Sequence, residues 1–167
     1  MTTLVYHKDV IAGDSLQFIA SGNNSFPLRG PKVFLSKNKT FAYGMCGNYV
    51  LEEDFDTMEA WIEKQLINFK NKGVVEPLFK KGHGFYLVIM TKKGTYCINH
   101  DRPNIKITQI NSTDYYVHGT GGDHASFAIA MGADAIDAVK AGIKRDTASG
   151  CDIYAVKRGV LKTHKEI

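Results

Sequence analysis

At 167 residues the chain is long enough to bury one sizeable core and short for two. With 44% hydrophobic and 23% charged residues it has the composition of an ordinary soluble globular protein, and no apolar run is long enough to span a bilayer. The net charge is +4, yet the basic residues are spread along the sequence as nothing denser than pairs such as Lys80-Lys81 and Lys92-Lys93, which argues against a nucleic-acid footprint.

The start of the chain lacks a charged segment followed by an apolar core, so no secretion signal is expected. The three cysteines, Cys46, Cys97 and Cys151, are odd in number, far apart and in apolar settings. Buried free thiols and a reducing, cytoplasmic location fit them best. The N-x-Ser/Thr triplets at Asn23, Asn38 and Asn111 are then chance matches.

In chain order, Thr3 to Tyr6 and Asp9 to Ala12 read as two short strands around a tight His7-Lys8 turn. Residues 15–31 read as a long connection carrying Gly22-Asn23-Asn24-Ser25 and ending at Pro27, Gly30 and Pro31. Lys32 to Leu35 and Thr40 to Met45 form a second hairpin pattern around Lys37-Asn38-Lys39. A helix is expected from about Phe55 to Phe69, where Phe55, Met58, Ile62, Leu66 and Phe69 recur every three or four residues. Glu52, Glu53 and Asp54 suit its positive dipole end. A short second helix fits near Val75 to Lys80.

Phe85 to Met90 and Thr95 to Asn99 read as strands joined at Lys92-Lys93-Gly94, and Ile105 to Ile110 and Tyr115 to His118 as a further pair. After Gly119-Thr120-Gly121-Gly122 come two Ala-rich helices, one over about 123–131 and one capped near Asp134, with Ile136, Val139 and Ile143 on one face. Two strands, about 151–157 and 159–164, close the chain around Arg158-Gly159. Strands joined by short turns imply antiparallel sheets with helices in separate layers, an α+β domain over residues 1–167 with no second domain.

Several segments could carry chemistry. If Met1 is removed, Thr2 presents a hydroxyl and a free α-amine on neighbouring atoms, a nucleophile with its own base; with Met1 retained the amine is blocked. A frayed terminus is the bland alternative, but Thr3 and the strand that follows anchor the segment. Asp14 at a strand end and Lys32 after Pro31 are each ordinary turn or edge residues when taken alone. Gly44-Met45-Cys46-Gly47 breaks the end of an apolar strand, either as a bend or as a place where the backbone N–H of Cys46 or Gly47 meets a reacting carbonyl oxygen. Gly119 to Gly122 is turn chemistry or an anion nest, and no Gly-x-x-x-x-Gly-Lys-Ser/Thr motif exists, which excludes a P-loop. Asp146-Thr147-Ala148-Ser149-Gly150 either satisfies local backbone donors or serves a site. His118 and His124 lack metal-ligand spacing.

Taken in order, these segments resemble proteasome β-type subunits and, among them, the peptidase of the bacterial two-component ATP-dependent protease (HslV type). Thr2-Thr3-Leu4-Val5 is similar to the mature Thr-Thr start, Val10 to Asp14 to the strand ending in aspartate, and Lys32-Val33 to the lysine opening the next hairpin. Gly44 to Gly47 resembles the oxyanion bend, Gly119-Thr120-Gly121-Gly122 a Gly-Ser-Gly helix start, and Asp146-x-x-Ser149-Gly150 an Asp-x-x-Ser-Gly pattern. No single motif is specific; the ordered set is.

The resemblance implies a four-layer αββα sandwich of the Ntn-hydrolase type, with a helix layer reduced at residues 48–84. It implies a threonine endopeptidase in which Thr2 attacks, its amine takes the proton, and Lys32 held by Asp14 supplies positive charge. Cys46 or Gly47 would donate to the oxyanion, and Thr120, Asp146 and Ser149 would orient the amine and a water. No cofactor is required, although a monovalent or divalent cation near Ser149 occurs in some relatives. Self-association into rings of twelve or fourteen, an unfolded polypeptide substrate and a separate AAA+ unfoldase are implied partners, with no nucleic acid and no membrane. The S1 pocket would involve residues near Ala20, Lys32 and Met45.

Three departures stand out. The first hairpin is short, and equal loss from both arms would keep Asp14 facing Thr2. Thr120 replaces the serine, and residues 48–84 are short for two long helices. Two other readings remain: a catalytically silent assembly protein retaining Met1, and an amidase acting on a small amide.

Overall fold

A computed structural model of the chain describes residues 2–21, 24–47, 57–72, 85–101 and 104–163. The expected short helix at Val75 to Lys80, and Glu52, Glu53, Asp54 and Phe55, lie outside the described residues.

The first four-residue-scale signal is the hairpin of β1 (Leu4–His7) and β2 (Val10–Asp14). Lys8 and Asp9 form its two-residue turn, both at positive φ (45° and 64°), the geometry whose twist matches the flanking strands. The turn therefore sits one residue later than His7-Lys8. Residues 15–31 are not an irregular connection: β3 (Leu16–Ser21) and β4 (Asn24–Arg29) pair as a two-stranded antiparallel ribbon. The turn residues that suggested a loop mark its tip.

Next come β5 (Val33–Leu35), β6 (Phe41–Gly47), helix α1 (Met58–Lys72), β7 (Phe85–Thr91), β8 (Thr95–Asp101) and β9 (Asn104–Ile110). Strands β5 to β9 follow one another as a five-stranded antiparallel sheet in chain order. The short β10 (Tyr116–His118) does not pair with β9 as its sequence neighbour; it crosses to the other sheet and pairs with β1. Helices α2 (Gly122–Ala130) and α3 (Ala135–Arg145) follow, the second capped by the Asp134 side chain accepting from the Asp137 amide. β11 (Ile153–Lys157) completes a four-stranded sheet in the order β10-β1-β2-β11.

Beyond it, the described part of the expected strand at 159–164 is a 3-10 turn, Arg158–Val160, followed by irregular chain over 161–163. Arg158 accounts for this. Its guanidinium donates to Asp9, the Tyr6 hydroxyl, the Thr95 hydroxyl and the carbonyls of Thr91 and Gly94. These bonds draw the backbone across the ends of both sheets, and Leu161 then enters the core between them.

The side-chain alternation of each strand sorts three cores into successive layers. Leu4, Tyr6, Ile11, Val33, Ala42, Val88 and Met90 fill the space between the two sheets. Val5 and Ala12, on the opposite pleat, pack against Ala125, Ile129, Ala138 and Val139 of α2 and α3. On the far side of the five-stranded sheet, Phe41, Phe85, Leu87, Ile89 and Ile98 pack against Met58, Trp61, Ile62 and Leu66 of α1. The layers are thus helix pair, sheet, sheet, helix: an α+β sandwich of the Ntn-hydrolase type. Cys46 and Cys97 are buried free thiols, whereas Cys151 is exposed, on a positive-φ turn just before β11.

Candidate active site

Leu4 and Tyr6 face the inter-sheet core and Val5 the helices, so the pleat turns Thr2 toward the sheets and Thr3 toward the helices. Both threonines are buried, at 3% and 0% exposure, although they open the strand. Gly119 lies directly against the Thr2 carbonyl. It holds φ +104°, and a Cβ there would fall 1.9 Å from the Thr2 oxygen, so only glycine fits. The Gly121 amide donates to the same carbonyl at 3.4 Å.

The register places Asp14 opposite Thr3, not Thr2: Leu4 pairs with Gly13, the Asp14 amide donates to the Thr3 carbonyl, and Asp14 Oδ1 accepts from the Thr3 amide at 2.7 Å. The hairpin keeps its alternation, as equal shortening requires, but the carboxylate reaches the peptide joining Thr2 to Thr3. Asp14 has 0% exposure and accepts only: from Thr3 N and Lys32 Nζ (3.0 Å) on Oδ1, and from Lys32 Nζ (3.1 Å), Leu16 N (3.3 Å) and Gly150 N (3.0 Å) on Oδ2. This is the pattern of a charged carboxylate held by its donors.

Lys32, 5% exposed, immediately precedes β5 of the other sheet, and its carbonyl accepts from the Met45 amide of β6 at 2.9 Å. The ion pair therefore spans the two sheets. Burial pushes the Lys32 ammonium below the ordinary lysine range, and Asp14 opposes that shift.

Amide direction alternates along β6. The Met45 N–H points toward β5, so the Cys46 N–H turns toward β7, opposite Tyr86, and the Gly47 N–H returns to the β5 side, past the strand end near Lys32. Of the two expected oxyanion donors, Gly47 thus has the favourable direction. It is exposed and has φ +103°. The Cys46 thiol is pushed up to about 12 by burial, which leaves it an unreactive packing group.

The third constellation converges on Thr3. Thr3 Oγ1 donates to Ser149 Oγ at 2.8 Å, and Ser149 Oγ donates to Asp146 Oδ2 at 2.6 Å. The exposed Thr120 hydroxyl donates to the same carboxylate oxygen, and the Ala148 amide donates to Oδ1 at 3.0 Å. Burial acts to raise the Asp146 carboxyl, but the bonds from Ser149, Thr120 and Ala148 outweigh it and leave it below the usual carboxylate range. Thr120, Asp146 and Ser149 therefore come together as expected, but their link to the strand is the Thr3 hydroxyl.

Sequence reasoning assigned Thr3 only an anchoring part. The signal for more lies in two glycines: a Cβ at Gly121 would sit 2.0 Å from Thr3 Oγ1, and one at Gly142 2.6 Å from Thr3 Cγ2. His118 closes the inter-sheet side. It pairs with Leu4 across β10 and its ring stacks on Tyr86 with centroids 3.4 Å apart. Burial lowers its pKa from the ordinary imidazole value. Among the described residues no group of three or more His, Cys, Asp or Glu side chains could hold a metal ion, and no helix is long and apolar enough to cross a membrane.

No family model and no curated protein matches the sequence. Solved structures do. The eukaryotic HslV of Trypanosoma brucei superposes with a TM-score of 0.57 at 15% identity, over 93% of this chain and 98% of that one. The BPH of Thiobacillus denitrificans, solved in complex with epoxomicin, superposes at 0.53 and 13% identity, over 93% of this chain and 96% of its own. At such identities the likeness speaks for architecture alone. The strand order, the four layers and this superposition over nearly the whole of each chain establish that the protein has the HslV/proteasome-β-like fold.

Proposed function

We propose that this chain is a threonine-type endopeptidase subunit whose nucleophile is Thr2 once Met1 has been removed. The observation that carries the reading is the buried Lys32–Asp14 pair beside the Thr2–Thr3 peptide. An ammonium without solvent next to a strand terminus has no evident structural need, since a buried pair is commonly no more stable than apolar residues of similar volume.

In this reading the α-amine of Thr2, with a reference pKa of about 7.7–8.0, takes the hydroxyl proton near neutral pH. Lys32 favours the neutral amine and the developing oxyanion, and Asp14 fixes the lysine. The Gly47 amide donates to the tetrahedral oxyanion. The Thr3–Ser149–Asp146–Thr120 chain holds the strand end and positions the water that releases the acyl-enzyme. An acylated nitrogen could not act as base, so the same chain retaining Met1 would be silent. Association into rings, with a separate unfoldase delivering unfolded polypeptide, belongs to the proposal and would follow the neighbours' architecture.

Intact and native mass of the protein from its own cell gives the N-terminal residue and the assembly size. A peptide vinyl sulfone should then add one equivalent to Thr2 and none to Thr2→Ala. A native mass retaining Met1 together with no adduct would overturn the reading. Turnover of a small amide without turnover of casein would redirect it to an amidohydrolase.

A further inference from the structure

The lysines that are scattered in the sequence meet at one end of the sandwich, the end away from Thr2. Arg158 ties the β1–β2 turn at Asp9 to the β7–β8 turn at Thr91, Gly94 and Thr95, and the Lys162 amide donates to the Lys39 carbonyl in the β5–β6 turn. These bonds place Lys8, Lys37, Lys39, Lys92, Lys93, Lys157 and Lys162 on one face, and all seven are exposed. A recess of about 400 Å³ lies at its centre, lined by Lys8, Asp9, Val10, Lys92, Lys157, Arg158 and Gly159.

Among the described residues, the acids at this end hold hydrogen bonds. Asp9 accepts from Arg158, Glu59 from the Lys37 amide, and Asp114 from Asn111, while Asp134 caps α3. We infer that this face binds the phosphate backbone of nucleic acid without regard to sequence.

Two features favour a phosphate chain over a folded acidic protein. Lysine is depleted at protein interfaces, whose energy comes from buried aromatic and apolar anchors. Here the exposed large apolar residues in the described part of this end, Val160, Tyr115 and Met131, stand apart on three different loops, whereas the lysines surround the recess. The turn tips also form a grid. Facing sheets lie about 10 Å apart and alternate hairpins of one sheet about 9–10 Å apart. A duplex carries a charge every ~3.4 Å per strand, so each tip can meet a phosphate, and each neutralised phosphate releases counterions. No base-reading side chain is required.

The test is fluorescence anisotropy of the full-length protein with a labelled random-sequence 30-base-pair duplex, titrated at several salt concentrations between 50 and 200 mM. If all seven lysines engage phosphates, the slope of log K against log[salt] should be about −6. The triple variant Lys8→Gln, Lys92→Gln, Lys157→Gln should reduce the slope by about 2.7. A control triple on α3, Lys140→Gln, Lys144→Gln, Arg145→Gln, should leave it unchanged. Circular dichroism confirms that both variants fold. Absence of binding at 50 mM salt, an equal loss in the α3 control, or displacement of the duplex by polyglutamate at equal charge concentration would each overturn the inference.

Discussion

Replacing Asp14 by Asn is the sharpest probe of the site's energetics. All five contacts to this carboxylate are donors, so an amide must turn its NH₂ toward at least one N–H and leave Lys32 buried without a countercharge. Breaking a buried pair by removing one partner costs about 3–5 kcal/mol, against 0–1 kcal/mol for an exposed pair. With a urea m-value of about 2 kcal/mol/M, the unfolding midpoint should fall by about 1.5–2.5 M. Trp61 is the chain's single tryptophan and is 1% exposed against the five-stranded sheet, so its fluorescence reports the transition. The double variant Asp14→Asn, Lys32→Met removes the stranded charge and should recover more than half of the loss. A drop below about 0.5 M for the single variant, the size of a solvent-screened pair, would refute the argument that these two residues are charged and dry.

Gly119→Ala should abolish peptidase turnover, and either unfold the strand end or displace Thr2, because the new methyl meets the Thr2 carbonyl and φ is +104°; a fully active variant would contradict the placement. Thr3→Val keeps the shape but removes the donor to Ser149, so it should cost about 1 kcal/mol of stability and lower turnover while Thr2 labelling persists. His118 and His7 are both shifted below the ordinary imidazole value, chiefly by burial. The unfolded chain then binds protons that the folded chain refuses. Stability should rise as pH climbs from their folded values toward about 6.5 and stay level above it. His118→Phe should flatten that slope, as read from urea midpoints between pH 5 and 7.5.

The layers were legible because each depends on local periodicity. The β1–β2, β5–β6 and β7–β8 hairpins, the two C-terminal helices and most of α1 follow from alternation, turn residues and a 3.6-residue stripe. What escaped depended on distant partners. Arg158 converts an apparent strand into a turn through bonds to Tyr6, Thr91 and Thr95, which no window around residue 158 contains. β10 looks like a mate for β9 until β1 offers the edge. At the site, Asp14 and Lys32 could be named from their motifs, and their pairing follows from the fold. That Asp14 meets Thr3, that Ser149 reaches Thr3, and that Gly47 rather than Cys46 presents its amide are matters of register and alternation. That lysines scattered in the sequence share one end of the sandwich was hidden for the same reason, because adjacency in space is set by where hairpins end.

The separation of Thr3 from Ser149, 146 positions along the chain, bears on synthesis. β1 is made well before the residues that enclose it, Gly119, Gly121 and Ser149. At translation rates of about 5–20 residues per second, the opening threonines spend roughly 7–30 s outside the ribosome's exit before their enclosure can form. During that interval the peptide bond before Thr2 is open to an aminopeptidase; afterwards Thr2, just ahead of a central strand, is 3% exposed. In the proposed peptidase, maturation of the nucleophile would therefore be a race between an enzyme acting on a nascent chain and the arrival of that chain's own final third.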